Sequence, residues 1–485
     1  MNVYDYLMTG VDPDKIAIQS RTEQTTYAEL LGMVNQVCVI LAKHDTKQGQ
    51  YIAIIVQNSS LWIACYLGIL RYGAVAVPVP IDQHLDMINQ FLEMIGCHLC
   101  FIDQELENKF ASLPTNYIIT PDKFNQADTT VEYPVHQPAK NDLATLMFTS
   151  GSTGVPNAVK VSHLNIIANT KSIVEYLKLT GNDRIMTVLP FYYCFGTSLL
   201  HTHLRVGGSL VLNNRFMFVE HVLDDMENFA CTGFAGVPSI YQRLIKRSTF
   251  TERHFETLRY FQQAGGRLSH EFIKSIVEVF PEKDFYVMYG QTEATSRLSY
   301  LPPDKVLDKV NSIGKAIPYT ILEIVDTEGN PVTSGEQGEV VASGDNITLG
   351  YWHDEPNSRY VEGKLHTGDM AMMDEDGFIY IVGRKSDFLK PGGNRFSSHK
   401  IIDVLLSHPQ IFEAEVLGVY DADLGEIIHV FVGVGDNELS ANDVKRHCLE
   451  HLPRFAIPHE IIIKSELPKN NAGKIQRRLL LDYDE

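Results

Sequence analysis

One stretch constrains the chain more than any other: Leu146-Met147-Phe148-Thr149-Ser150-Gly151-Ser152-Thr153-Gly154-Val155-Pro156. The apolar run over 143–148 reads as a buried strand. It breaks into a loop of hydroxyls and glycines, and a helical pattern starts near Leu164. Glycines let successive backbone N–H groups turn toward one point, and Ser and Thr hydroxyls add donors. Such a nest holds phosphate oxygens without side-chain charge. Taken alone, the cluster fits an ordinary strand-to-helix turn equally well, because Gly, Ser and Thr are common in turns. It is not the GxxxxGK[ST] loop, since no Lys-Ser/Thr pair follows the second glycine.

The chain before the loop alternates helical and strand patterns. The segment Thr25-Thr26-Tyr27 opens a helix running to about residue 43. A strand over 51–56, a helix over 60–72 and a strand over 74–78 follow. Strands alternating with helices of this length imply parallel α/β layers. With 485 residues, 44% of them hydrophobic and 21% charged, the chain has room for two or three such globular units. A formal net charge of -19 argues against nucleic acid or an anionic membrane as partner, because phosphates would be repelled. Seven cysteines are scattered along the chain, and Cys97 and Cys100 form a lone C-x-x-C with no second pair to complete a zinc site. That pattern reads as reduced and intracellular. Residues 1–12 lack the basic and apolar regions of a signal peptide. The apolar stretch 61–80 carries Arg71, Pro78 and Pro80, so no integral membrane segment is expected. The expectation is a cytoplasmic protein.

Further segments follow the loop. Leu189-Pro190-Phe191-Tyr192-Tyr193-Cys194-Phe195-Gly196 comes after a strand over 185–188 and fits either plain core or a pocket wall. Phe234-Ala235-Gly236-Val237-Pro238 is followed by Gln263-Ala264-Gly265-Gly266-Arg267, whose glycine pair would let a flat ring approach the chain. A strand pattern over 285–289 ends in Tyr289-Gly290-Gln291-Thr292-Glu293, where Glu293 fits a helix N-terminal acid or a metal ligand. Residues 312–383 break into short strand patterns between Gly, Asp and Asn turns, which reads as a small antiparallel β region. It contains His366-Thr367-Gly368-Asp369, where the aspartate alone fits a turn. Gly383-Arg384-Lys385-Ser386-Asp387 comes next. Near the end lies Leu467-Pro468-Lys469-Asn470-Asn471-Ala472-Gly473-Lys474.

In this order, the segments resemble those of the adenylate-forming enzymes: acyl-CoA synthetases, amino-acid adenylation domains and luciferases. The resemblance covers nearly the whole chain. It implies an α/β fold with a large N-terminal domain of layered α/β subdomains plus a small β region (1–386). A hinge at Asp387 would join it to a small α+β C-terminal domain (388–485). It further implies that Thr149, Ser150, Gly151, Ser152, Thr153 and Gly154 cradle the phosphates of ATP. Gly265, Gly266, Tyr289 and Gly290 would lie along the nucleotide, and Asp369 and Arg384 would hold the ribose. Thr292, Glu293 and Lys474 would be catalytic, with Glu293 helping to bind Mg²⁺. Tyr192, Tyr193, Cys194, Gly236 and Ala264 would line the pocket for the carboxylic acid substrate. The implied reaction makes an acyl-adenylate with pyrophosphate release, then passes the acyl group to a thiol.

The chain departs from the family pattern in three places. The loop continues Pro156-Asn157-Ala158 where the family usually has Pro-Lys-Gly, and Lys160 follows three residues on. Lys400-Ile401-Ile402 stands where Glu-Ile-Glu is usual. Tyr193 occupies a place where CoA ligases often carry His and amino-acid-activating enzymes carry Asp. A buried ammonium without a carboxylate is costly, so Tyr193 points to an uncharged acyl or aryl acid. CoA is the expected acceptor. The alternatives are a carrier-protein phosphopantetheine acting in trans, with an amino acid or acyl group as substrate, an oxidative luciferase-type use of the adenylate, and a non-catalytic nucleotide-binding relative.

Overall fold

The computed structural model describes residues 2–107, 113–125, 132–133, 136–149, 157–353, 359–384, 388–389, 391, 396–421, 425–435, 437–470, 473 and 475–481. Two large mixed sheets, flanked by helices, carry the first three hundred residues. One has six strands. Its four adjacent pairings among Tyr117–Ile119, Leu99–Ile102, Tyr51–Ile55, Val75–Pro78 and Leu143–Thr149 are parallel. The other has nine strands, with a parallel centre made of Ser209–Leu212, Arg184–Thr187, Gly233–Gly236, Tyr260–Gln263 and Asp284–Tyr289. Strands this apolar need cover on both faces. Helix Ser60–Tyr72 gives it, with Trp62 and Tyr66 fully buried against Phe191 and His201.

Local rules account for the helix starts. Thr26 caps helix Tyr27–Lys43 in a reciprocal capping box with Glu29. Gly73 ends helix Ser60–Tyr72 at φ +83, a conformation glycine takes without strain.

A five-stranded sheet from Thr320–Val325 to Ile379–Arg384 is antiparallel throughout, as the short strand patterns foretell. Beyond it, strands Glu413–Asp421, Gly425–Gly433 and Glu460–Lys464 pack with helices Ser398–Ser407 and Ala441–His451 around a separate core that includes Ile401, Ile428, Val430 and Val444. This is the large-plus-small α/β architecture expected. Lys400-Ile401-Ile402 lies in the first of these helices, where fully buried Ile401 serves packing.

The chain differs from its sequence reading just after the phosphate loop. Asn157–Ser162 is a strand antiparallel to Leu143–Thr149, so a second strand, and not the helix, is the next described element. The strand, with Ala158, Val159 and Val161 buried, shows no two-residue alternation and is too short to stand out beside the helix that follows, His163–Tyr176.

Three histidines are buried beside these sheets. His201 pairs with the Tyr66 hydroxyl at 2.9 Å, His203 with the Leu199 carbonyl at 2.9 Å, and His163 Nδ1 accepts from the Val3 N–H. Burial pushes their pKa values down from 6.5 to about 3, 4 and 4 for His201, His203 and His163. They fold neutral, whereas the unfolded chain takes up their protons below about pH 6.5. Stability is therefore full above that pH and falls as the pH drops from there toward 4, by about 1.4 kcal/mol per pH unit for each histidine. The urea midpoint is expected to drop between pH 7 and pH 5, and less steeply in His201→Gln. Equal midpoints at the two pH values would contradict this account.

Candidate active site

In the nine-stranded sheet the chain leaves strand Arg184–Thr187, returns on one side as Ser209–Leu212 and then on the other as Gly233–Gly236. Such a reversal opens a crevice at the carboxyl ends of the strands, where ligands of open α/β sheets bind. Four sequence-predicted segments emerge at that edge: 189–196, 236–238, 263–267 and 289–293.

The first segment turns into helix Cys194–Arg205. Tyr192 and Tyr193 lie with ring centroids 4.7 Å apart, and Cys194 Sγ stands 3.6 Å from Thr292 Oγ1. The aromatic segment and Thr292 therefore share one site. Burial raises the Tyr193 pKa, with Asp82 adding in the same direction, so this tyrosine is a neutral phenol. The glycine pair is backed by the next segment: Gly265 has φ +85, and a Cβ on it would meet Val237 Cγ1 at 3.0 Å. A Cβ on Gly236 would meet Ile240 at 2.8 Å, and Ala264 is buried beside it.

Asp369 and Arg384 face each other across the antiparallel pair Lys364–Met373 and Ile379–Arg384. Arg384 Nε donates to Asp369 Oδ1 at 2.9 Å, and the Tyr289 hydroxyl donates to Oδ2 at 2.6 Å. Asp369 is buried while Arg384 is about half exposed. Burial first, then the Asp369 charge, holds the Tyr289 pKa far up. The β region thus delivers a carboxylate and a guanidinium to the edge of the large sheet.

Glu293 follows in a short 3-10 turn, Thr292–Ala294. Its backbone carbonyl accepts from Thr348 N at 3.1 Å and Thr348 Oγ1 at 2.9 Å. Its carboxylate Oε1 accepts from the Tyr351 hydroxyl and lies 3.5 Å from Arg359 Nη1. The segment 349–352 is laddered to the strand after the phosphate loop through Lys160 N to Gly350 O at 2.8 Å and Trp352 N to Ala158 O at 2.7 Å. The strand Asn157–Ser162 and the candidate metal carboxylate are therefore joined through segment 349–352. Tyr351 and Arg359 are functional candidates that sequence reasoning missed. Nothing in Gly350-Tyr351-Trp352 announces a contact to a residue 58 positions earlier.

The backbone of Thr149 ends its strand opposite Asn157. Ser150, Gly151, Ser152, Thr153, Gly154, Asp387 and Lys474 lie outside the described residues. Gly473, however, is placed: its carbonyl accepts from Ser239 Oγ at 2.9 Å, on the helix Pro238–Arg247 that follows Gly236. Further contacts seat the C-terminal unit on that helix. Arg247 Nη1 lies 2.5 Å from Glu466, and Lys246 stands over the Phe412 ring at 4.6 Å. Close by, Arg267 pairs with Asp403 at 2.9 Å.

The sequence profile of the AMP-binding enzyme family matches residues 9–352, and that of the AMP-binding enzyme C-terminal domain matches residues 401–474. The chain is 29% identical to the 2-succinylbenzoate–CoA ligase of Bacillus subtilis, over 97% of this chain and 95% of that one. Its fold superposes on the o-succinylbenzoate CoA synthetase of Bacillus subtilis in complex with ATP and magnesium with a TM-score of 0.89. There the identity is 26%, and the match covers 99% of this chain and all of that one. An anthranilate CoA ligase in complex with anthranoyl-AMP gives a TM-score of 0.90 at 26% identity, covering all of this chain and 97% of that one. No helix among the described residues is long and apolar enough to cross a membrane.

Proposed function

The chain belongs to the AMP-binding enzyme family, and on that premise we propose that it activates a carboxylic acid with ATP and transfers the acyl group to CoA. It is an AMP-forming acid–thiol ligase. The observation that carries this reading is the convergence of Asp369, Arg384 and Tyr289 with Thr292 and Glu293 at one strand edge.

A carboxylate acylates poorly because its leaving group would be oxide. Attack of the acid's oxygen on the α-phosphorus of ATP expels pyrophosphate and leaves AMP as the group a thiol can displace. The protein's part is to position donors and to offset charge at phosphorus. Asp369 accepts from the ribose hydroxyls and Arg384 orients that carboxylate. Thr292 donates to the α-phosphate. The hydroxyl and backbone donors of 149–154 cradle the outer phosphates, and Lys474 reaches the α-phosphate from the C-terminal unit. The Tyr351 hydroxyl and the Arg359 guanidinium both approach the Glu293 carboxylate at Oε1, and a hard carboxylate oxygen suits Mg²⁺. When bound, the ion offsets phosphate charge. We place the hinge at Asp387, between units 1–386 and 388–485, and the cytoplasmic setting expected from the cysteines belongs to the same proposal.

The reading is tested by pyrophosphate release from ATP and Mg²⁺ across a panel of carboxylic acids, with and without CoA. Release with one class of acid, completed to thioester by CoA, is the expected result. ATP binding without release for any acid would overturn it in favour of a non-catalytic relative. Asp369→Asn keeps the side-chain shape and removes the charge. It is expected to raise KM for ATP about 10-fold, since a hydrogen bond to a charged group is worth about 1.5 kcal/mol or more. An unchanged KM would remove Asp369 from the ribose site.

A further inference from the structure

A second cluster of chemistry-bearing side chains lies in the C-terminal unit, at the end of helix Ala441–His451. Its last residues read His447-Cys448-Leu449-Glu450-His451. Positions i, i+3 and i+4 of a helix lie on one face, so His447, Glu450 and His451 stand together, while Cys448 is buried in the core of the unit. One ligand-capable atom from each of the three lies within 4.8 Å of the other two. The two imidazole centroids are 4.6 Å apart. His447 is half-buried, and Glu450 and His451 are exposed.

Hydrogen bonds fix which nitrogen of each ring keeps its lone pair. His447 Nε2 lies 2.8 Å from the Val404 carbonyl oxygen and 3.1 Å from Ser407 Oγ, both on the neighbouring helix Ser398–Ser407. A carbonyl only accepts, so Nε2 carries the proton and Nδ1 is free to bind a ligand. His451 Nδ1 lies 2.9 Å from the His447 carbonyl oxygen, so here the proton sits on Nδ1 and the lone pair on Nε2. Each ring donates its N–H to a backbone carbonyl, which is how metal-bound imidazoles are commonly held. His408 packs edge-on against His447 at 5.1 Å, and its Nδ1 accepts from the Gln410 N–H at 3.2 Å. Burial first, then His447, lowers the His408 pKa, so at neutral pH this ring is an uncharged wall.

The surroundings favour a cation. A groove of about 380 Å³ beside the cluster is lined by Glu438, Asp443, Arg446, His447 and Glu450 among others. Its acids outnumber its one arginine, which is itself paired with Asp443. The cluster also occupies the last turn of the helix, where the macrodipole favours positive charge. Two imidazole nitrogens and a carboxylate oxygen suit Zn²⁺, Ni²⁺ or Cu²⁺, whereas Mg²⁺ takes oxygens. Two histidines four apart on one helix face are a recurrent zinc arrangement. Tetrahedral zinc holds its ligand atoms about 3.4 Å apart, a distance the exposed Glu450 and His451 side chains can reach by rotation. We propose that His447, Glu450 and His451 bind one zinc-class divalent ion, at a site separate from the Mg²⁺ carboxylate Glu293. Bound there, the ion clamps the last turn of the helix and, through His447, its seat on helix Ser398–Ser407. Three protein ligands leave a fourth position for water.

The test is calorimetric titration of the full chain with Zn²⁺ in millimolar Mg²⁺, which occupies oxygen-rich sites such as that of Glu293. One equivalent is expected at a Kd on the order of 10 µM, weaker than four-ligand structural zinc. His451→Gln changes an exposed side chain and should weaken that equivalent by about 100-fold or more, since even a group that merely orients a ligand is worth 10- to 100-fold. Glu450→Gln should weaken it by about 10-fold, and it carries the same test should His451→Gln fail to fold. Zinc should raise the unfolding midpoint of the wild type and leave that of His451→Gln where it was. Without zinc, wild type and both variants should release pyrophosphate at the same rate in Mg²⁺. Zinc bound equally well by His451→Gln and Glu450→Gln would place the ion on other groups and overturn the site. No zinc bound by the wild type at millimolar concentration would overturn it as well.

Discussion

Replacing Lys474 with alanine is expected to slow pyrophosphate release by about 100-fold or more, some 3 kcal/mol of transition-state stabilisation, as when a single oxyanion donor is lost elsewhere. The argument rests on what the fold does with the neighbouring residues. Gly473 is fixed to Ser239 by its carbonyl, and its φ of +75 suits glycine. A Cβ there would meet Ser239 Oγ at 2.4 Å and Val237 Cγ2 at 2.9 Å, so the turn lies directly on the chain that follows Gly236. Lys469 and Ile475 bridge across the base of the turn, and Lys469 is tied to Glu413. The turn is thus anchored on both sides. A lysine next to this glycine would supply positive charge to a reaction that must stabilise an anionic phosphorus centre. Single-turnover measurements separate the steps. Adenylate formation should collapse, while transfer from a supplied acyl-adenylate to CoA should persist. Normal pyrophosphate release by Lys474→Ala would remove the lysine from the mechanism.

How far the sequence foretold this site depends on the range of each interaction. Thr26 and Glu29 are three residues apart, and their capping box follows from spacing alone. Asp369 and Arg384 were named separately by resemblance, and an antiparallel pairing fifteen residues wide brings them face to face. Tyr351 acts on Glu293 only because a third segment, the strand after the phosphate loop, holds 349–352 in place. No local pattern encodes such a three-body arrangement. The burial of Arg297 was missed for another reason. A single arginine in a polar-looking stretch, Thr295-Ser296-Arg297, reads as a solvated side chain, and only the folded chain puts it under Phe195.

Gly290→Ala is expected to cost about 3 kcal/mol of stability and most of the activity, because no room exists for a methyl group there. A Cβ on Gly290 would fall 1.9 Å from the Ser296 carbonyl oxygen and 2.8 Å from Arg297 Cα, both backbone atoms. Far ends of side chains can swing away, but backbone held on both sides cannot. Here Asn169 and Asn346 each donate to the Arg297 carbonyl at 3.1 Å, and Thr295 donates to the Asn346 carbonyl at 2.7 Å. The return of the chain over Gly290 is what turns Thr292 and Glu293 toward the strand edge. Thr295 at φ +63 and Ser296 at φ +148 show how sharply it bends. An added methyl must therefore displace either Tyr289, with its hold on Asp369, or the 295–297 segment, whose backbone is tied to Thr292, Asn169 and Asn346. Gly32→Ala serves as the control. That glycine lies within helix Tyr27–Lys43 with nothing inside 4 Å of the added carbon, so its replacement should stabilise the helix by up to about 1 kcal/mol. Denaturant midpoints of the two variants, read beside pyrophosphate release, give the comparison. Were Gly290→Ala to fold and turn over like wild type, the close approach of residues 290 and 296 would not be what sets the geometry of Thr292 and Glu293.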